Sequence, residues 1–194
     1  MLLESKGIQL NVGFIPSFDL NEGEIVVLYL YGGGHYYPTK RELIKVLTGE
    51  IDNASLQRTN TLKLVEIFFE SKLRRLFSPI SVDEYIKKNS NPDNSIAEEF
   101  YNFPHSNYDM LEVGKKTRVN SLEGTSKKAL TLYSALSHSK YIIFDLDGIS
   151  RKGSRQIYEI IKQKAREGGA AILIDWSEEF KYDCSKFITI QLTT

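Results

Sequence analysis

The chain has 194 residues, 41% hydrophobic and 26% charged, enough for one domain with a real core and too apolar for a disordered chain. Its 25 basic residues balance its 25 acidic ones, so no global field recruits nucleic acid or an anionic membrane. The single cysteine, Cys184, excludes a disulfide framework and a multi-cysteine metal site and suits a reducing compartment.

No apolar run approaches the roughly 18 to 20 residues that span a bilayer, and Met1 to Lys6 does not read as a signal peptide, so the cytoplasm is expected. Gly23 to Leu30 reads as a buried strand, and Lys40 to Leu47 as an amphipathic helix stopped by Gly49. Residues 62–69 read as another strand. Val82 to Glu99 is polar and helical, broken at Asn89 to Asn94, and the part up to Tyr108 reads as a smaller helical layer. Ser126 to Leu136 is a helix, Tyr141 to Phe144 a strand, Ser154 to Glu167 a helix closed by Gly168-Gly169, and Ala170 to Ile174 a strand, with a last one near Phe187 to Leu192. Alternating strands and helices predict an α/β fold with a mainly parallel sheet.

Between the first strand and the first helix lies Gly34-His35-Tyr36-Tyr37-Pro38-Thr39-Lys40-Arg41. A phosphate loop of the Walker A type needs G-x-x-x-x-G-K-[ST]: glycines turn backbone N–H groups inward, the Lys reaches the terminal phosphates and the hydroxyl ligates Mg²⁺. Gly34 and Lys40 keep that spacing, but Thr39 replaces the second glycine and Arg41 the magnesium ligand. Pro38 lacks an N–H, and Tyr36 and Tyr37 add bulk. Thr39-Lys40-Arg41-Glu42 also fits a capping box, with Thr39 as N-cap and Glu42 reaching back. On that pattern the helix caps itself, and Glu42 competes with a phosphate for the positive end of the dipole. Lys40 reads either as a phosphate ligand or as a solvated first-turn residue.

The order and spacing of these segments resemble the ATP-binding domain of ABC transporters over nearly the whole chain. Gly23-Glu24-Ile25-Val26 and Gly34 to Ile51 carry the first part of the resemblance. Leu76 to Tyr85 is similar to the segment after the glutamine loop, and Leu122-Glu123-Gly124-Thr125-Ser126 with its helix to the signature L-S-G-G-Q. Tyr141 to Asp145 is similar to the Walker B strand, and Ala171 to Ile174 to the strand before the switch histidine. The resemblance implies a P-loop NTPase-like fold with a small helical subdomain: one domain over 1–194, its core at about 1–70 and 120–194 and its smaller part at about 71–119.

It also implies roles, position by position. Gly34 and Lys40 would hold nucleotide and Asp145 the magnesium shell. The catalytic base position is Leu146, which cannot accept a proton or orient water; Asp147 substitutes only if the backbone bends there. Asp145 and Asp147 read equally as a carboxylate pair or as a turn, with Asp145 capping it. The switch histidine position is Ser177, or Trp176 in a shifted register, and the signature serine is Glu123, which opposes phosphate. The glutamine position falls on Glu70 or Lys72. Phe14 and Phe18 read as core in preference to an adenine platform. His35, His105 and His138 are too scattered for a metal site. Lys72, Arg74 and Arg75 read as a solvated basic face, and Tyr29, Tyr31, Tyr36 and Tyr37, around Gly32 to Gly34, as packing in preference to a contact surface.

With base, magnesium hydroxyl, switch histidine and signature serine all replaced, the expectation is a degenerate, catalytically silent ABC-type subunit without a required cofactor. Its implied partners are a membrane permease, another ATP-binding subunit or a second copy in a head-to-tail dimer, at the membrane only through the partner. The alternatives are a weak ATPase using Lys40 with Asp145 and Asp147, where ATP and Mg²⁺ bind, and a nucleotide-independent scaffold.

Overall fold

The computed structural model describes residues 1–31, 33–68, 70–71, 78–105 and 113–192. In chain order its strands are β1 (Leu3–Ser5), β2 (Ile8–Leu10), β3 (Gly13–Ile15), β4 (Phe18–Leu20), β5 (Ile25–Tyr31), β6 (Leu56–Arg58), β7 (Lys63–Leu64), β8 (Tyr141–Phe144), β9 (Ala170–Asp175) and β10 (Lys186–Gln191). The α-helices are α1 (Tyr36–Thr48), α2 (Val82–Asn89), α3 (Gly124–His138) and α4 (Arg151–Arg166), with 3₁₀ turns at Gly33–His35, Ser95–Asn102 and Val119–Ser121. Two compact units result: Met1–Leu64 with Lys140–Asp147 and Ile160–Thr194, and Val65–Ser139 with Gly148–Glu159.

The first unit is built on a five-stranded, wholly parallel sheet ordered β10-β5-β9-β8-β7. Both faces of its central strands are buried, which is why Ile25-Val26-Val27-Leu28 and Ala171-Ile172-Leu173-Ile174 are continuous apolar runs without alternation. On one face Val26, Leu28, Leu30, Ile143, Ile172, Ile174 and Ile190 pack with Leu43, Val46 and Leu47 of α1. The same core takes in Leu3, Ile8, Ile15 and Leu20 from two antiparallel pieces, the β4-β1-β6 sheet and the β2-β3 hairpin. These five strands of three residues each were not read from the sequence. Such strands are too short to show a period, although Ile8-Gln9-Leu10 and Phe18-Asp19-Leu20 do alternate in burial.

In the second unit, α3 packs on the 3₁₀ segment Ser95–Asn102, and Phe100, Leu130 and Tyr133 of these elements are buried. Ser81 caps α2 in a complete capping box, with the Glu84 N–H donating to Ser81 Oγ and the Ser81 N–H donating to the Glu84 carboxylate. No helix among the described residues is long and apolar enough to cross a membrane.

Two expectations need correction. Among the described residues of 62–68, strand is limited to the two residues of β7, paired with β8, and the chain passes to the second unit at Val65. Helix α1 begins at Tyr36 with His35 as N-cap, so Thr39 is not the cap. Thr39 lies inside the helix, fully buried, its Oγ1 without a hydrogen-bond partner among the described residues. The Glu42 carboxylate instead accepts from the Asn11 N–H at 3.3 Å. Pro38 is tolerated because it sits in the first turn, where the N–H has no intrahelical acceptor.

An N-cap threonine loses about 1 kcal/mol when its hydroxyl is removed. A buried unpaired hydroxyl behaves oppositely, so Thr39→Val is expected to leave stability unchanged or raise it by up to about 1 kcal/mol in chemical denaturation. A loss of about 1 kcal/mol would restore the capping role.

Candidate functional site

In a parallel sheet the strands deliver their carboxyl ends to one edge, where loops carry the chemistry. Here β9 lies between β5 and β8. The helix that follows β5 brings Lys40, the turn after β8 brings Asp145 and Asp147, and β9 ends on Asp175. The buried stripe of α1, Tyr36, Thr39, Lys40, Leu43 and Leu47, follows helical spacing and places Tyr36 one turn before Lys40 on the same face.

These groups form one charged cluster. Lys40 Nζ lies 2.6 Å from Asp145 Oδ2 and 2.6 Å from Asp147 Oδ2. Tyr36 donates its hydroxyl to Asp147 Oδ1 at 3.2 Å, and its ring covers Lys40 Nζ with the centroid 5.5 Å away. The Asp147 N–H donates to Asp145 Oδ1 at 3.2 Å, a turn closed just before Gly148 at φ +75°. Asp145 thus closes the turn through its Oδ1 and, with Asp147, faces the Lys40 ammonium. Lys40 is not a solvated first-turn residue, at 8% exposure.

Burial opposes the charge on Lys40, but the Asp145 charge, hydrogen bonds to both aspartates and the Asp147 charge outweigh it, and the pKa is raised. Burial, then the charges of Asp147, Asp175 and Asp145, drives the Tyr36 pKa far up, so the phenol stays a donor. Asp175 is 4% exposed. Burial pushes its pKa up to about 6 against the pull of the Trp176 and Ser177 N–H groups, with Asp147 and Asp145 adding repulsion.

The residues expected elsewhere in the site serve other ends. Leu146 is buried, and Gly34 is exposed within the 3₁₀ turn before α1. Arg41 is exposed. Ser177 accepts from the Glu179 N–H, and Trp176 is 66% exposed. In the second unit, Glu70 accepts from the Ile80 N–H at 2.8 Å and from the Asn120 side-chain amide, clamping its own segment. Glu123 is the N-cap of α3 without a side-chain cap bond, and Gly124 is required by packing, since a Cβ there would stand 2.8 Å from the Gly148 carbonyl oxygen. His105 contacts Ser126 Oγ, and His138 contacts the Asn89 carbonyl. Phe18 is core, whereas Phe14 is 53% exposed. Tyr29 packs against Tyr31 and Phe187. Gly32, Lys72, Arg74, Arg75, Leu76, Phe77 and Tyr108 lie outside the described residues.

In this arrangement the groups that the resemblance gives to ATP and magnesium are engaged with one another. With α1 starting at Tyr36, the N–H groups from Thr39 onward enter the helix ladder, and Pro38 just before them has none. The Tyr36 ring lies against the ammonium, whose charge is met by two carboxylates. No group of three or more His, Cys, Asp or Glu among the described residues is arranged to hold a metal ion. Tyr36 is the participant that sequence reading missed; its i, i+4 relation to Lys40 was the available signal.

No family model and no curated protein matches the sequence. Solved structures do. A nucleotide-free ATP-binding cassette from an ABC transporter matches at TM-score 0.68 and 15% identity, over 100% of this chain and 90% of that one. An ABC transporter in an inward-facing conformation, assigned to the metal-chelate type, gives 0.70 and 17% over 97% of this chain and 79% of that one. An ABC transporter ATP-binding protein from Pyrococcus furiosus gives 0.61 and 16% over 97% of each.

Asp175 supplies a test by pH. Its pKa is higher in the folded chain, about 6, than the ordinary value near 3.9. Its contribution is therefore fully present below about pH 4 and lost as pH rises through about 6. Asp175→Asn is expected to be more stable than the parent at pH 7.5 by on the order of 2 kcal/mol, with the difference shrinking toward pH 4, in denaturation series across that range. A deficit that grows with pH would contradict the strained carboxylate.

Proposed function

On the fold of ABC transporter ATP-binding cassettes, which this chain has, we propose that it acts as a catalytically silent cassette-like subunit. It works through contact with a membrane permease, another ATP-binding subunit or both, at the cytoplasmic side of the membrane, with a head-to-tail pair of this chain as the form its homodimer takes. The observation that carries the reading is the engagement of Lys40 by Asp145 and Asp147, with the Tyr36 ring beneath the ammonium. Phosphoryl transfer depends on several positioned charges acting as a unit, and here the cation is neutralised while the base position is a buried leucine.

A second reading, a weak ATPase using Lys40 with Asp145 and Asp147, draws on the same convergence, because the turn at Gly148 brings Asp147 to the cation. In it Asp147 must leave Lys40 before it can orient water. Partner contact without nucleotide is favoured by the burial of Lys40 beside the Tyr36 ring.

The purified chain is expected to hydrolyse ATP no faster than Lys40→Ala under the same conditions, and calorimetric titration with Mg·ATP is expected to give no saturable heat at millimolar nucleotide. A Mg²⁺-dependent rate abolished by Lys40→Ala would overturn the silent-subunit reading and favour the weak ATPase.

A further inference from the structure

At the end of α1 remote from Lys40 lies a cavity of about 330 Å³, lined by Thr48, Gly49, Arg58, Thr59, Asn60 and Thr61, all in the first unit. Gly49 closes the helix at φ +91°, its N–H donating to the Lys45 and Val46 carbonyls. Arg58, the last residue of β6, crosses this terminus and donates from Nη1 to the Val46 carbonyl at 3.2 Å and the Leu47 carbonyl at 3.4 Å. The guanidinium occupies room that only glycine leaves, because a Cβ on Gly49 would collide with Nη1, Cζ and Nη2.

One edge of Arg58 is thus fixed and the other is not. Among the described residues Arg58 bonds through Nη1 alone and pairs with no carboxylate, although Glu50 directly follows the helix cap. Its remaining donors, Nε and Nη2, share one side of the planar fork, the geometry that meets a carboxylate through two parallel bonds. Charge favours the same ligand. The carbonyl end of a helix carries about half a negative elementary charge, so a whole guanidinium set upon it leaves about half a positive charge over. The hydroxyls nearby add acceptors. Thr48 spends its proton on the Ile44 carbonyl at 2.9 Å and Thr59 on the Met1 carbonyl at 2.9 Å, so each has lone pairs left to offer. Thr61 makes no hydrogen bond among the described residues and can both donate and accept.

We infer that this cavity binds a small hydroxycarboxylate: Arg58 takes the carboxylate through Nε and Nη2, and Thr48, Thr59 and Thr61 take the hydroxyl. Its volume stands at the small end of ligand pockets, about 300–1,000 Å³, and suits an acid of about four to six carbons. Capping of α1 accounts for Nη1 alone. The site stands about 12 Å along the helix from Lys40 and goes beyond the silent-subunit reading, on which it does not depend.

The test is titration of the full chain with L-malate, at an ionic strength held constant with sodium chloride, followed by nuclear magnetic resonance of the backbone amides. Succinate, which lacks the hydroxyl, is the comparator. Saturable shifts are expected at Gly49 and at Thr59 to Thr61, with succinate binding about three-fold more weakly than malate. Arg58→Lys keeps the charge and a donor for the helix carbonyls but loses the fork, and is expected to weaken malate binding about ten-fold. Should that variant fail to fold, Thr61→Val, at an exposed position, is expected to weaken malate about two-fold and leave succinate unchanged. No saturable shift at these amides with about 20 mM malate, or a folded Arg58→Lys that binds malate as tightly as the parent, would overturn the site. Succinate binding as tightly as malate, or Thr61→Val weakening neither acid, would overturn the hydroxycarboxylate assignment.

Discussion

One ammonium among three carboxylates is the constraint on which the functional account depends. Topology brings them together: β8 and β9 lie side by side, the turn after β8 carries Asp145, β9 ends on Asp175, and the helix after β5 supplies Lys40. Wherever parallel strands end at a common edge, the charges placed there must be compensated by a ligand or by one another. In this chain they compensate one another, and Asp175, buried and left with backbone N–H groups, takes the residual strain.

Such an arrangement is demanding. Removing one member of a buried ion pair typically destabilises a protein by about 3–5 kcal/mol, because an uncompensated charge remains. Lys40 therefore has a reason to persist that involves no nucleotide: it neutralises the turn after β8 and ties that turn to α1. A lysine retained at the right spacing is compatible with either role, and only the position of its counterions separates them. Local structure likewise accounts for Gly124, placed where a carbonyl oxygen approaches closely, and for Glu70, placed where it accepts from backbone and amide donors.

The scaffold was legible because its strands are buried on both faces. Tyr141 to Phe144 has the expected bounds, and the runs at Ile25 and Ala170 are apolar without interruption. The antiparallel strands before Leu20 escaped notice because three residues carry too little pattern. The capping box shows why local motifs mislead: Thr39-x-x-Glu42 and Ser81-x-x-Glu84 are the same pattern, yet only the second caps a helix. Ser81 is itself extended, as an N-cap must be, whereas Thr39 lies inside a helix that already begins at Tyr36. The charge cluster was half legible. Lys40, Asp145 and Asp147 were each singled out, but their mutual pairing depends on the bend at Gly148 and on Tyr36 covering the cation, which spacing alone does not reveal.

The state of Lys40 itself is the most direct measure of the account. Nuclear magnetic resonance of the Lys40 side chain, followed through alkaline pH and then during addition of Mg·ATP, reports both its counterions and its availability. The account predicts a titration midpoint above that of the exposed lysines, as expected for an ammonium held by Asp145 and Asp147, and no movement of the signal with nucleotide. A midpoint at or below the ordinary lysine value, or a saturable shift on adding Mg·ATP, would contradict it.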